Sequence, residues 1–287
     1  MLLLHLMSQI FPHKIRIIYI DHQLQSKSAE WGELVAKQAT HLNIPYTIQK
    51  VQVTDGNLEA QARQARYHAY LQHLQANEIL VLAHHQQDQA ETVILRLLSG
   101  TGVDGLAAMQ TIDYRKDMTI WRPFLDLTRE QIAEWTTQLE IEYVDDPTNY
   151  DIYYDRAWSR EELWPFLQNR FPKMQQALSR TSYLMQDASE ILEEVLKVDL
   201  QNCGTDECLD LTRLLKLSSA RQRQLLSVWM KGDGQYRPAF EMVERLKNEV
   251  IDSKSDAQAA LHWNQFYYVR YQHHLYRLSK QAFLAET

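Results

Sequence analysis

Ile79-Leu80-Val81-Leu82-Ala83-His84-His85-Gln86-Gln87-Asp88-Gln89-Ala90-Glu91-Thr92 changes its periodicity partway along. The apolar run Ile79–Ala83 has the pattern of a strand buried on both faces, as in parallel sheets covered by helices. From Gln89 to Leu98 the apolar residues recur at helical spacing, so the stretch reads as a strand running directly into a helix. His84 and His85 then fall at the strand's carboxyl end, where open α/β sheets bind their ligands. Asp88 and Glu91, three apart at the helix start, share one face. Two carboxylates beside two imidazoles suit a cation, a metal-bound phosphate or an amine. The same residues also fit a structural role, with acids complementing the helix dipole and a histidine closing the strand.

Working outward, Lys14–Ile20, Tyr46–Val53 and Thr119–Trp121 read as further strands. Helical patterns at Ala29–Leu42 and Leu58–Gln75 separate them, the second entered through Asn57 as N-cap. This alternation predicts an α/β fold with a parallel sheet and helices on both faces. The Gly100–Gly105 turn fits either a phosphate cradle or a helix C-cap. After Leu125 the pattern becomes helical, with Thr128–Gln138 opening on a capping sequence and a long helix over Lys173–Leu200. The polar segment Gln201–Glu207 marks the expected boundary between a domain at 1–200 and a smaller, mainly helical α+β domain at 208–287. There, Leu209–Met230 and Pro238–Val250 read as helices and Ala259–Leu278 as a hairpin. Its Trp263, Phe266, Tyr268 and Tyr271 suit either base stacking or the domain's own core.

A chain of 287 residues that is 45% hydrophobic can bury a core and fill two domains. A net charge of −7 argues against a generic nucleic-acid binder. Basic clusters are small: Arg63 with Arg66, Arg156 with Arg160, and Arg221, Arg223 and Lys231. Each fits a solvated helix face as well as an anion site. Cys203 and Cys208 form no disulfide framework and lack the second pair a structural zinc site needs. The opening Met1–Met7 is too short and too poorly flanked for a membrane span or signal peptide, so a cytoplasmic protein without membrane attachment is expected. The loop Asp145–Asp155 reads as an Asx-rich turn around Pro147.

The strand–helix stretch resembles the A-H-H-x-D-D-Q-x-E-T motif of the tRNA(Ile)-lysidine synthases, followed by their G-x-G-x-x-G-L. Asp21-His22-Gln23-Leu24, the helix from Leu58 to Tyr67, Arg122-Pro123-Phe124-Leu125, Asp145–Asn149 and Tyr154-Asp155-Arg156 resemble further motifs of that family, in the same order. The resemblance covers most of the chain. It implies an N-type ATP pyrophosphatase of the PP-loop superfamily, adenine nucleotide alpha hydrolase-like in fold, with a small tRNA-binding domain at 208–287. The implied reaction uses ATP, with Mg²⁺, to adenylate C2 of the wobble cytidine in an isoleucine tRNA with a CAU anticodon. The ε-amine of free L-lysine then displaces AMP, changing the codon read from AUG to AUA. On this reading Asp88 and Glu91 serve the lysine side and Arg63 and Arg66 the phosphate or base. His22, His84 and His85 shape the nucleotide site, while Arg156 and Arg160 bind substrate. No protein-held metal is expected, and a homodimer is among the expected assemblies.

Departures from the family pattern are specific. Gln87 stands where the motif has its first Asp, and Ala157 and Ser159 stand where Y-x-R-N-x-[IL]-R has its Asn and its aliphatic residue. The S-G-G-x-D-S phosphate loop does not occur, and Met1–Gln9 resembles the tail of the helix that follows it. The resemblance therefore implies a start downstream of that loop, a missing first strand and a missing last C-terminal domain. A chain so shortened is expected to be poorly active. The alternatives are a non-catalytic remnant that binds tRNA or a partner, and another ATP pyrophosphatase acting on tRNA.

Overall fold

A computed structural model describes residues 1–25, 27–53, 58–144, 150–232, 234, 237–253 and 259–286. They fall into two compact units, Met1–Asp187 and Ala188–Thr287. The expected N-cap Asn57 and the Asp145–Asn149 motif lie outside the described residues.

In the first unit α1 (Leu2–Ile10) precedes β1 (Ile17–Asp21), which pairs in parallel with β2 (Tyr46–Lys50) across α2 (Ser28–His41). Helix α3 (Leu58–His73) leads into β3 (Ile79–Val81), which pairs in parallel with β5 (Thr119–Trp121). The short strand β4 (Ile112–Tyr114) lies antiparallel on the other edge of β5. The described strands thus form two hydrogen-bonded groups, β1–β2 and β3–β5–β4. Strand β4 escapes sequence reading because three residues with Asp113 at their centre carry no clear alternation. Arg16, just before β1, ties the groups together by donating from Nε to Glu78 Oε1 at 2.7 Å. That hydrogen bond, helped by the Gln75 N–H, pulls the Glu78 carboxyl down to about 2.

Arg63, Arg66, Tyr67 and Tyr70 follow i, i+3, i+4, i+7 spacing and so share one face of α3. Tyr67, Tyr70 and Leu74 pack against Leu80, Met118 and Ile120, the small core beneath β3 and β5. The two tyrosine rings meet edge-on with centroids 5.9 Å apart.

Helix α4 (Gln86–Leu98) begins three residues before its apolar periodicity does. It ends in a glycine cap. Gly100 has φ +73, its N–H donates to Leu97 C=O at 3.0 Å, and Thr101 N–H donates to Arg96 C=O at 3.2 Å. Of the two roles open to this turn, the helix cap is the one adopted. Gln89, fully buried, pins the helix: its amide donates to Met109 C=O at 2.7 Å and Ser182 Oγ at 2.9 Å, and accepts from Met109 N–H at 3.0 Å.

Short α5 (Val103–Leu106) follows, and α6 (Arg129–Gln138) carries the capping box expected from Thr128 and Gln131. Next come α7 (Asp155–Trp158), a π-helical turn at Ser159–Leu163 and α8 (Trp164–Arg170). Trp164 and Met174 pack on Ala90 and Ile94 of α4.

Helix α9 (Met174–Cys203) runs from one unit into the other. The second unit adds β6 (Cys208–Asp210), α10 (Leu211–Leu214), α11 (Ser219–Lys231) and α12 (Phe240–Arg245). A π-helical turn at Leu246–Ile251 precedes β7 (Ala260–Trp263), β8 (Phe266–Tyr271), β9 (His274–Ser279) and α13 (Lys280–Glu286). The strands make one antiparallel sheet in the order β6–β9–β8–β7. The single helix expected over Leu209–Met230 is a strand and two helices, because Asp210 and Ser218 each cap a new helix with a side-chain oxygen. Tyr268, fully buried, belongs to the core with Trp229, and Trp263 and Phe266 pack against it, while Tyr271 is exposed. No described helix is long and apolar enough to cross a membrane.

Candidate active site

The site grows from the start of α4. His85 takes extended backbone angles and its Nδ1 accepts the Gln87 N–H at 3.2 Å, while Asp88 Oδ2 accepts the His85 N–H at 2.9 Å. This reciprocal cap satisfies two of the donors a helix N-terminus leaves open. Because Nδ1 accepts, the ring proton resides on Nε2, which lies 3.6 Å from Asp88 Oδ2. His85, expected at the nucleotide site, is held in the helix cap.

Glu91, fully buried, lies one turn further on. Arg160, from the π-helical turn, donates from Nε to Oε1 at 2.6 Å and from Nη2 to Oε2 at 2.9 Å. This two-pronged geometry is the strong form of a guanidinium–carboxylate pair. Gln87 Nε2 adds a third donor to Oε1 at 3.0 Å. Both Glu91 oxygens are therefore engaged, whereas Asp88 Oδ1 has Arg160 Nη2 at 3.5 Å. Asp88 keeps 13% of its side chain exposed, so it is the acid of the pair that a small cation can reach.

Beside it opens a pocket of about 220 Å³ lined by Arg66, Tyr67, Tyr70, Leu82, Ala83 and His84. Burial pushes the His84 imidazole down to about 4; Arg122, Arg156 and Arg66 push the same way and Asp88 opposes them. His22, at the end of β1, is lowered by burial and then by Arg66, against the pull of Asp21. Arg66 thus acts on the carboxyl ends of both β1 and β3. Arg63 is lowered by burial and by its neighbours Arg156, Arg66 and Arg115, with Tyr67 opposing. His22 Nδ1, His84 Nδ1 and Arg122 Nε are buried with no hydrogen-bond partner among the described residues. Each such atom costs roughly 1–3 kcal/mol, and His84, which lines the pocket, turns one of them toward the place where a polar ligand could be accommodated.

His22, His84, Asp88, Arg63, Arg66, Arg156 and Arg160 therefore converge, with Glu91 behind Arg160. Sequence reading missed Tyr67, Tyr70 and Arg122. The first two were legible as the i+4 and i+7 positions from Arg63, and Arg122 as the head of the quoted Arg-Pro-Phe-Leu. Arg122 is 1% exposed and donates from Nη1 to Gln110 C=O at 2.8 Å. Ala157, at the substituted Asn position, is buried, so no polar group is stranded there. In the second unit Arg221 is paired with the buried Asp199, and Arg223 contacts Ser219 Oγ at 3.3 Å. Among the described residues no three His, Cys, Asp or Glu side chains come together to hold a metal ion.

Comparisons with known proteins give the same two-part division. Residues 1–167 match the family described as PP-loop domain, and residues 209–276 match the TilS substrate binding domain. A tRNA(Ile)-lysidine synthase of Acinetobacter baylyi is 63% identical over 284 residues, covering 99% of this chain and 62% of that protein. One from Actinobacillus pleuropneumoniae serotype 3 is 33% identical over 277 residues, covering 96% and 66%. The chain therefore spans just under two thirds of the length of these relatives. Among solved structures, the U34-tRNA thiolase NcsA from Methanococcus maripaludis with its 4Fe-4S cluster superposes with a TM-score of 0.50 at 13% identity. The match covers 64% of this chain and 67% of the thiolase, a likeness of fold. With residues 1–167 matched by the PP-loop domain, the chain belongs to the PP-loop family, and nearly all of its length is similar to tRNA(Ile)-lysidine synthases.

Proposed function

We propose that the protein carrying this chain is a tRNA(Ile)-lysidine synthase. It activates C2 of the wobble cytidine in a CAU-anticodon isoleucine tRNA by adenylation with ATP. The lysine ε-amine then attacks C2 and AMP leaves. One juxtaposition carries the reading: a reachable carboxylate, Asp88, stands beside a ring-sized pocket whose charged neighbours, Arg63, Arg66 and Arg156, are guanidinium groups. An ammonium group and a phosphorylated base are the two ligands such a site distinguishes.

Each residue then has a role its surroundings support. Asp88 holds the lysine ammonium beside the base. Glu91 acts through Arg160, whose guanidinium it fixes for the anion that develops when AMP departs. Arg63, Arg66 and Arg156 bind phosphate, and their mutual repulsion falls when an anion arrives. His84 and His22, kept neutral by burial, supply hydrogen bonds to base or ribose without adding charge. ATP fits this donor set. Three His, Cys, Asp or Glu ligands for Mg²⁺ do not converge among the described residues, and no step is assigned to that ion. Its partners are free lysine and tRNA, and the cytoplasm, where tRNA is modified, is the matching location.

The test incubates the full-length natural protein with ATP, radiolabelled lysine and transcripts carrying cytidine or uridine at the wobble position. Label entering the cytidine transcript alone, with AMP and pyrophosphate formed in equal amounts, supports the proposal. ATP cleavage on that RNA with no lysine attached overturns it.

A further inference from the structure

Arg115 follows β4, in the tight turn where its N–H donates to Met118 C=O at 3.0 Å. Its side chain turns back along the sheet face that α3 covers. The guanidinium carbon lies 5.1 Å from the centre of the Tyr67 ring, and that of Arg63 lies 4.9 Å from the same centre. One tyrosine of the pocket wall therefore carries two guanidinium groups, each at cation–π distance. Asp113 fixes the first of them, accepting from Arg115 Nε at 3.0 Å and Nη2 at 2.7 Å. The same Asp113 oxygen stands 3.5 Å from Nη2 of the buried Arg122, whose charge reaches His84. Contacts thus run from the buried Arg122 through Asp113 to Arg115. The Arg115 side chain still keeps 37% of its surface exposed.

Arg156, Arg66 and Arg115 all act on the buried Arg63, in a chain whose net charge is −7. Asp113 neutralises Arg115 in part and the tyrosine face offsets some of the remaining repulsion on the buried Arg63, which an arriving anion would lower further. We infer that Arg115 and Arg63, braced on Tyr67, form a phosphate clamp that completes the substrate site from the β4–β5 hairpin. The inference rests on the function proposed above. The phosphate belongs either to the RNA backbone beside the target base or to the nucleotide, and the chemistry of recognition is the same for both.

The test compares wild-type full-length protein with Arg115→Ala and Arg115→Lys. A fluorescent CAU anticodon stem-loop is titrated at several salt concentrations, and KM is measured for ATP and for lysine. If the clamp holds RNA, Arg115→Ala weakens stem-loop binding about tenfold and flattens the log–log salt slope by roughly 0.7 to 1. If it holds the nucleotide, the KM for ATP rises about tenfold and the salt slope is unchanged. In either case Arg115→Lys recovers part of the loss, and the lysine KM stays within twofold. Stem-loop affinity, salt slope and ATP KM all unchanged in Arg115→Ala would overturn the clamp, even with lysidine formed normally. A wild-type protein that binds RNA in an Arg115-dependent way yet forms no lysidine would keep the clamp and sink the functional reading. Absence of RNA binding and of ATP turnover in the wild type would remove both.

Discussion

Arg160 and Glu91, 69 residues apart in sequence, form a two-pronged ion pair with contacts of 2.6 and 2.9 Å. The carboxylate is fully buried and the guanidinium side chain is 22% exposed. Removing one partner of such a pair strands a charge, at a cost of about 3–5 kcal/mol. Arg160→Ala should therefore lose roughly that much stability in denaturant melts. The paired replacement Glu91→Leu with Arg160→Met should recover most of it while leaving lysidine formation abolished. Activity in the stable double variant would show that the pair serves folding alone.

Gln89 makes three hydrogen bonds from a fully buried amide, two of them to the backbone of Met109. Gln89→Leu preserves the volume and leaves the Met109 N–H without its acceptor, while the Met109 C=O keeps the Gln186 Nε2 donor at 3.0 Å. The expected loss is about 1–3 kcal/mol, with the lysine KM unchanged for the protein that remains folded. A loss below about half a kcal/mol would show that water replaces the amide.

His84 makes stability depend on acidity. Its imidazole is held at about 4 by burial, against 6.5 when unfolded. Above 6.5 both states are neutral and the group contributes nothing. Below it the unfolded chain takes up a proton that the folded protein refuses, so stability is lost as pH falls. The loss between pH 7 and pH 5 is roughly 2 kcal/mol, and His22, shifted the same way, adds to it. His84→Gln should lose less stability over that interval than wild type. Equal losses would place the His84 shift elsewhere.

The fold was legible where one period ran unbroken. The Ile79–Ala83 strand, the helix beyond it and the alternation upstream gave the α/β class, because burial on both faces leaves a continuous apolar run. It was less legible where a polar side chain bonded its own backbone. His85 and Asp88 look like ligands in sequence, yet each also closes the first turn of α4, and Asp210 and Ser218 divide what reads as one helix. Contacts across the fold left weaker signals. Arg160 looks like half of a basic pair, and only the tertiary structure shows it committed to Glu91. Arg115 stands alone on a hairpin with no periodicity, so nothing in the sequence ties it to Tyr67.

Asp88 is the residue on which the functional account turns, since it is the carboxylate proposed to hold the incoming amine. Asp88→Asn keeps an oxygen for the His85 N–H and so preserves the helix cap while removing the charge. The most direct measurement follows label from radiolabelled ATP in the full-length variant, with lysine varied, and asks where the adenylate goes. The account predicts that adenylated RNA forms and accumulates, with lysine transfer reduced about 10- to 100-fold, the range for losing a charge-assisted hydrogen bond. Lysidine formed at the wild-type rate and lysine KM, with no adenylated RNA accumulating, would contradict it.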